Sequence, residues 1–156
     1  MQRPLLKNTN FRDYLTKFLI MKRNATALWQ GSLKEGAGKI TTQSKTLDQT
    51  QYSFKTRFED GVGTNPEELV AAAHAGCFTM QLSAYIGEAG FEIESIETQC
   101  VITMEDFTIT NSDLTVRAKV AGISDEKFQE LVDKAEKNCP ISKLLNAAIK
   151  ATATLG

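Results

Sequence analysis

Three cysteines are the side chains of this sequence that are best suited to nucleophilic or redox chemistry. Cys77 lies within a long apolar stretch, Cys100 lies in a strand-like segment, and Cys139 directly precedes Pro140. A thiol attacks only as its thiolate, so a reactive cysteine needs a nearby cation or the N-terminus of a helix. The sequence contains no C-x-x-C pair, and we therefore expect neither a thioredoxin-type dithiol nor a zinc knuckle.

Each cysteine also has an inert interpretation, because free cysteines are often small buried core residues. Cys77 lies about three turns inside its predicted helix, beyond the reach of the helix dipole, so a reactive Cys77 needs a cation. Arg57 is the nearest candidate in the sequence, although a solvated surface arginine explains it equally well. Cys139 stands where a short helix is predicted to begin, and free backbone amides there favour a thiolate. Cys100 has no charge pattern around it and is expected to be packing.

His74 is the single histidine, and it lies one turn before Cys77 on the same predicted helix. A cysteine and histidine pair would suit a hydrolase of esters or amides, but the same spacing also describes ordinary core packing. No nucleophile-elbow motif accompanies the pair. The sequence also lacks a glycine-rich phosphate loop and any flavin, haem or nicotinamide motif, so we expect no cofactor and no metal.

A long helix must position Cys77. Residues 64–68, TNPEE, form a strong helix start, because asparagine can cap the first amides, proline suits the first position and two carboxylates face the positive end of the dipole. Gly90 is a plausible stop. The stretch Leu69–Tyr85 is apolar nearly all round, so we expect burial on every side and contact with a second subunit. His74 and Gln81 interrupt the stretch, and we do not expect it to span a membrane.

The remaining segments alternate between strand-like and helix-like periods, which predicts an α+β domain rather than a doubly wound sheet. In the third predicted strand Phe54, Thr56 and Phe58 share one face, so Arg57 is expected to point away from the phenylalanines. The predicted strands are Ala25–Gln30 and Lys39–Leu47, forming a hairpin around Gly36 and Gly38, then Ser53–Phe58, Glu92–Glu105, Phe107–Ala121 and Ala148–Leu155. Besides the central helix, predicted helices run from a Ser124 cap to about Lys137 and over a short segment after Pro140.

The composition limits the class of protein. With 156 residues, 42% of them hydrophobic, the chain is expected to form one domain with an adequate core. Eighteen basic and nineteen acidic residues give a net charge of -1, which disfavours nucleic acid as a partner. Three cysteines without a secretory signal indicate a reducing compartment, which we expect to be the cytoplasm. Residues 1–20, with a candidate helix over 12–20, are predicted to extend a domain that covers residues 21–156.

Two stretches of the sequence carry a set of motifs with defined spacing. They are YSFKTRFEDGVGTNPEELVAAAHAGCFTMQLSAYIGEAGF, which begins at Tyr52, and KNCPISKLLNA, which begins at Lys137. The motifs are an Asn-Pro-Glu helix start, a cysteine ten residues after that glutamate, and a distant Cys-Pro pair. From about Ala25 to the C-terminus the chain resembles the family of osmotically inducible protein C and the organic hydroperoxide resistance proteins, most closely the first branch.

The resemblance implies a thiol-dependent peroxidase with an OsmC-like fold, in which antiparallel sheets pack around a long central helix in an intertwined homodimer. By position, Cys77 matches the peroxidatic cysteine of the family and Cys139 its resolving cysteine. Arg57 matches the arginine that activates the thiolate, and Glu67 matches the glutamate that pairs with this arginine. The implied reaction reduces organic hydroperoxides, and hydrogen peroxide less well, through a sulfenic acid and an intramolecular disulfide. Electrons would come from an external dithiol, for example of the lipoyl type.

Glu67 and Cys77 are too far apart along one helix to share a site. Ten residues of unbroken helix separate them by about 15 Å. Either Arg57 acts across a subunit boundary or the helix bends, and the apolar character of the helix favours the first arrangement. Two other functions stay open at this point. One is a binding module that keeps the fold without the chemistry, and the other is a hydrolase that uses Cys77 and His74.

Overall fold

The computed structural model describes residues 21–156, and the extension predicted over residues 1–20, with its candidate helix, lies outside them. Within the described chain, strands and helices alternate and form two three-stranded sheets. The strands are β1 (Ala25–Gln30), β2 (Ala37–Thr42), β3 (Thr50–Ser53), β4 (Ile93–Glu105), β5 (Thr108–Val120) and β6 (Ala148–Leu155). The helices are α1 (Phe54–Phe58), α2 (Pro66–Glu88), α3 (Asp125–Asn138) and α4 (Pro140–Leu144). This architecture confirms the predicted α+β class with a long central helix.

The first sheet consists of β1, β2 and β3 in antiparallel order. Gly38 lies within β2, opposite Trp29 and Tyr52 on the two neighbouring strands, rather than in the hairpin turn where it is predicted. A Cβ atom at this position would overlap the ring of Tyr52. The absence of a side chain therefore lets the rings of Trp29 and Tyr52 approach to 5.3 Å between centroids. β2 ends at Thr42 and a turn follows directly, so the strand stops before its predicted end at Leu47.

The prediction of a third strand through Phe58 is wrong beyond Ser53, where β3 ends and α1 begins. Ser53 and Thr56 form a capping box: the Thr56 N–H donates to Ser53 Oγ (3.2 Å), and the Ser53 N–H donates to Thr56 Oγ1 (2.8 Å). The helical turn brings the rings of Phe54 and Phe58 to 4.8 Å between centroids. Arg57 therefore does not point away from the phenylalanines, and its guanidinium carbon lies 5.2 Å from the Phe58 ring centroid.

The central helix α2 begins and ends where the sequence signals predict. Asn65 Oδ1 accepts the N–H of Glu68 at 2.8 Å, and Pro66 occupies the first position. Just beyond the helix, Gly90 adopts a φ of 86°, which favours glycine. These local signals fix α2 as one continuous helix of 23 residues.

Only part of the surface of α2 is covered in one chain. One side packs against β4 and α3, and the side chains of Phe78, Leu82 and Ile86 are buried there. On another side Met80 is 76% exposed. α2 is long and apolar enough to pass a length and composition test for a membrane span, a test that the core helix of a soluble protein also passes.

The second sheet consists of β4, β5 and β6, and it carries most of the core. β4 and β5 form an antiparallel hairpin whose two turn residues, Asp106 and Phe107, both have positive φ. β6 pairs with β5 in parallel, which corrects the expectation of purely antiparallel sheets. Ser124 caps α3 as predicted, with its Oγ accepting the N–H of Lys127 at 3.2 Å. The predicted stripe of α3 is buried against this sheet and α2: Phe128, Leu131, Val132 and Ala135.

Candidate active site

Cys77 and Cys139 meet where α2 and α4 pack together. Cys77 is half-buried in the middle of α2. Cys139, the residue just before α4, is fully buried. The side chain of Cys77 interacts with that of Cys139 and with the backbone N–H of Ile141. Both cysteines are free thiols. The fold thus brings together the two cysteines that the resemblance pairs.

The surroundings of Cys77 within one chain do not favour a thiolate. Burial raises the pKa of the Cys77 thiol above its ordinary value, the N–H of Ile141 lowers it, and the neighbouring Cys139 raises it again. Among the described residues no cation acts on this thiol. A thiolate of Cys77 at neutral pH therefore needs a nearby positive charge, and the described residues of one chain do not supply it.

The side chain of Cys139 does not cap α4. It makes no capping hydrogen bond and lies in the hydrophobic core instead. Cys139 does occupy the predicted cap position, but its side chain does not bond the free amides of α4, and the N–H of Ile141 interacts with Cys77 instead. The sequence signal for Ile141 is its place after Pro140, in the first helical turn, where an N–H has no partner within the helix.

Arg57 and Glu67 form an ion pair within one chain. Arg57 Nε donates to Glu67 Oε1 at 3.0 Å and Oε2 at 3.2 Å, and Nη2 donates to Oε1 at 2.7 Å. This forked arrangement fixes the plane of the guanidinium. Nη2 also lies 3.7 Å from the Sδ atom of Met104 near the end of β4, a contact that the sequence does not predict. The arginine side chain is 34% exposed, so it stays accessible while its carboxylate partner, at 17%, is more covered.

The ion pair and the thiol pair lie at different levels of α2. Glu67 is in the first turn, and Cys77 follows ten residues later on the same unbroken helix. A rise of about 1.5 Å per residue puts about 15 Å between these two positions. The alternative of a bent helix has no support in the structure. Within one chain, the ion pair therefore holds Arg57 beside the first turn of α2, far from Cys77.

An apolar pocket of about 260 Å³ lies beside Arg57. The aromatic pair Trp29 and Tyr52 forms part of its wall, and the guanidinium supplies its charge. Such a pocket suits the apolar part of a small organic molecule with one polar group. In the described part of the chain, Cys77 is not among the residues around it. The other lining residues are Leu33, Ser53, Phe54, Phe58 and Pro66.

His74 is not free to act as a base for Cys77. It is fully buried, its Nδ1 atom lies 2.7 Å from Ser112 Oγ, and its Nε2 atom lies 2.9 Å from Ser142 Oγ. Both ring nitrogens are therefore occupied, which weighs against the hydrolase alternative. Cys100 in β4 lies 3.3 Å from Ser112 Oγ and packs against the core, as expected. The two serines are far from His74 in sequence, so no local pattern predicts them as partners.

Comparison with known proteins places these residues in a family. Residues 58–154 match the family model described as OsmC-like protein. Peroxiredoxin OsmC of Escherichia coli (strain K12) is 42% identical over 135 residues, covering 84% of this chain and 94% of that protein. The organic hydroperoxide resistance protein OhrB of Bacillus subtilis (strain 168) is 36% identical over 112 residues, covering 69% of this chain and 80% of that protein.

A solved structure shares the fold. The crystal structure of an organic hydroperoxide resistance protein from Elizabethkingia anophelis superimposes with a TM-score of 0.68 at 22% identity, covering 88% of this chain and 98% of that chain. This match concerns the fold, and the sequence matches carry the relationship itself. They confirm the resemblance predicted from the motifs, and the chain belongs to the OsmC-like protein family.

Proposed function

We propose that the protein is a thiol-dependent peroxidase that reduces organic hydroperoxides, with Cys77 as the peroxidatic and Cys139 as the resolving cysteine. The observation that carries this proposal is the contact between two free thiols at the junction of α2 and α4. Relatives named as a peroxiredoxin and as organic hydroperoxide resistance proteins support the same reaction class. The active unit is the domain over residues 21–156, and its free thiols suit a reducing compartment such as the cytoplasm.

The reaction has two balanced steps on the protein. The thiolate of Cys77 attacks one peroxide oxygen, the O–O bond breaks, and the departing alkoxide takes a proton and leaves as an alcohol. Cys77 is then a sulfenic acid. The thiol of Cys139 attacks its sulfur, water leaves, and a disulfide joins the two cysteines. An external dithiol, for example of the lipoyl type, reduces this disulfide by exchange and is itself oxidised.

The cation for Cys77 comes from a second copy of the chain. Arg57 is paired with Glu67 and lies far from Cys77 along α2, while the half-buried Cys77 thiol has no cation of its own among the described residues. The first sheet also packs mainly on itself and α1 within the described residues, and Leu28 on its edge strand is 52% exposed. A homodimer in which this sheet and α1 cover the α2 of the partner would bring Arg57 to Cys77. It would also bury the uncovered side of α2.

The pocket beside Arg57 sets the preference among peroxides. In the dimer its aromatic wall would hold the organic tail while the guanidinium holds the peroxide group. Hydrogen peroxide has no tail to fill a cavity of about 260 Å³, so it gains none of this apolar contact. We therefore expect organic hydroperoxides to be reduced more efficiently than hydrogen peroxide.

One assay separates the three candidate functions. The purified protein is given dihydrolipoamide together with cumene hydroperoxide, hydrogen peroxide or a thioester. We expect consumption of cumene hydroperoxide, slower consumption of hydrogen peroxide and no thioester hydrolysis. Thioester hydrolysis without peroxide consumption would favour the hydrolase instead. A folded protein that consumes none of these compounds would favour the binding module.

Replacing Arg57 tests the source of the positive charge. In Arg57→Ala the pH midpoint of Cys77 alkylation by iodoacetamide should rise by about 1 to 3 units, the range expected when an opposite charge is removed from a thiolate. Glu67→Gln should shift the midpoint less, because the carboxylate orients the guanidinium but disfavours the thiolate by its own charge.

Lys55→Ala is the matched control, because Lys55 is an exposed cation on the same helix α1. Its midpoint should equal that of the unmodified protein. The assignment of Arg57 fails if its removal leaves the midpoint unmoved, and a shift in the Lys55 variant alone would transfer the role to that lysine.

A further inference from the structure

A chain of buried hydrogen bonds joins the elements that carry the two cysteines. The imidazole of His74 on α2 contacts Ser142 on α4 through Nε2 at 2.9 Å and Ser112 on β5 through Nδ1 at 2.7 Å. The exposed fractions are 0% for His74 and Ser112 and 9% for Ser142. Serine hydroxyls can donate or accept, so either neutral tautomer of the ring satisfies both contacts. We call these two contacts the His74 link.

The His74 link runs beside the thiol pair. His74 precedes Cys77 by three residues on α2, and Ser142 on α4 follows Cys139, the residue just before this helix, by three residues. Residues three apart on a helix lie on nearly the same face, about 4.5 Å apart along the axis. The contact from His74 to Ser142 therefore lies one turn from the contact between Cys77 and Cys139.

The helix α4 depends on such contacts to hold its place. It contains five residues, which is too short to be stable alone, and Cys139 gives it no side-chain cap. Its last residue, Leu144, is 75% exposed and contributes little packing. Cys139 and Ile141 anchor it through apolar contacts, and the hydroxyl of Ser142 adds a directional bond to α2. Losing that bond would let α4 move while the rest of the core stays packed.

We propose that His74 is a positioning residue that holds Cys139 against Cys77 through Ser142 and so determines how efficiently the sulfenic acid is resolved. This inference rests on the proposed peroxidase reaction. The sulfenic acid of Cys77 has two fates. It condenses with the Cys139 thiol, releasing water and forming the disulfide, or a second hydroperoxide oxidises it to the sulfinic acid and leaves as the alcohol. The first fate depends on the effective concentration of Cys139 and the second on that of the peroxide.

The test compares two serine variants that each remove one hydroxyl from the same imidazole. Ser142→Ala removes the hydrogen bond between His74 and α4, whereas Ser112→Ala removes the partner on β5 and keeps that hydrogen bond. Each protein is treated with graded cumene hydroperoxide and excess dihydrolipoamide, and mass spectrometry gives the sulfinic acid formed at Cys77 per turnover. We expect about a threefold to tenfold increase for Ser142→Ala, the effect of one net hydrogen bond, and less than about twofold for Ser112→Ala. Cys139→Ser has no resolving thiol and therefore gives the upper limit of sulfinic acid formation.

Conservative variants separate positioning from general loss of structure. Ser142→Thr retains the hydroxyl, so its ratio of disulfide to sulfinic acid should be close to that of the unmodified protein. His74→Gln keeps a polar group near the Nε2 position and should also form little more sulfinic acid than the unmodified protein. His74→Asn reaches only the Nδ1 side and should form as much sulfinic acid as Ser142→Ala. The proposal is overturned if both serine variants raise sulfinic acid formation equally, or if Ser142→Ala does not raise it.

A measurement without peroxide keeps this inference distinct from the proposed function. Equilibration with oxidised and reduced glutathione gives the effective concentration of Cys139 toward a mixed disulfide on Cys77. We expect the same threefold to tenfold decrease for Ser142→Ala and none for Ser112→Ala, within the range of one hydrogen bond. If this decrease occurs in a protein that does not reduce peroxides, positioning by His74 holds and the peroxidase proposal fails. If peroxide is reduced but the decrease is absent, the positioning role fails alone.

Discussion

Cys77→Ser should abolish peroxide reduction and leave the fold intact. We expect turnover with cumene hydroperoxide to decrease roughly a thousandfold or more, because a serine hydroxyl stays protonated at neutral pH and cannot form a sulfenic acid. Serine is nearly isosteric with cysteine, and the position is only half-buried, so the far-ultraviolet circular dichroism and the thermal midpoint should change little. Consumption of cumene hydroperoxide with dihydrolipoamide is the measurement.

Cys100→Ser is the matched control, since it removes a half-buried thiol that contacts Ser112 and not the thiol pair. This variant should retain nearly full turnover. Undiminished peroxide consumption by Cys77→Ser would refute the assignment of the peroxidatic cysteine. Loss of peroxide consumption in the Cys100 variant alone would assign the peroxidatic role to Cys100.

Elements defined by contiguous signals could be predicted from the sequence. The cap at Asn65, the proline after it and the glycine at position 90 set the ends of α2, and Ser124 sets the start of α3. The sequence predicts β6 over Ala148–Leu155, and the strand has those bounds, because strict alternation of side chains continues through it. In each case the determining groups lie within a few residues of one another, where propensity and capping act.

The segment around Arg57 shows why short elements are harder to predict. Phe54, Thr56 and Phe58 alternate as in a strand, but Phe54 and Phe58 are also four residues apart, which suits one face of a helix. Over five residues the two periods cannot be told apart by pattern. The capping box of Ser53 and Thr56 favours the helix, and it changes the neighbours of the arginine.

Contacts between distant segments could not be read from local patterns. The resemblance pairs Cys77 with Cys139, but the N–H of Ile141 beside Cys77 emerges only when α4 packs on α2. Likewise, the serine partners of His74 come from β5 and α4. Periodicity describes which face of an element is apolar, and it carries no information on which remote residue meets that face.

A mixed dimer of Arg57→Ala with Cys77→Ser should be far more active than either variant alone, because Arg57→Ala has little thiolate at neutral pH and Cys77→Ser has no thiol at this position. The argument follows from the distance along α2: if the Arg57 and Glu67 pair of one copy serves Cys77 of the other, a mixed dimer retains one complete site. That site combines Arg57 from the Cys77→Ser chain with Cys77 from the Arg57→Ala chain. We expect about half of the native turnover per dimer, because one of two symmetry-related sites is intact. Coexpression with two affinity tags isolates the mixed species, and sedimentation confirms that it is a dimer.

A second mixed dimer, of Cys77→Ser with Cys139→Ser, should stay inactive in repeated turnover. The two thiols meet within one chain, so neither copy of this dimer holds both members of the disulfide pair. The two mixed dimers therefore separate a charge donated across the interface from a thiol pair confined to one chain. Failure of the first dimer to recover activity would mean that Arg57 does not activate Cys77 across the interface, and a fully active monomer would remove the dimer from the mechanism. Recovery in the second would show that the disulfide forms between copies, with α2 of one chain facing α4 of the other.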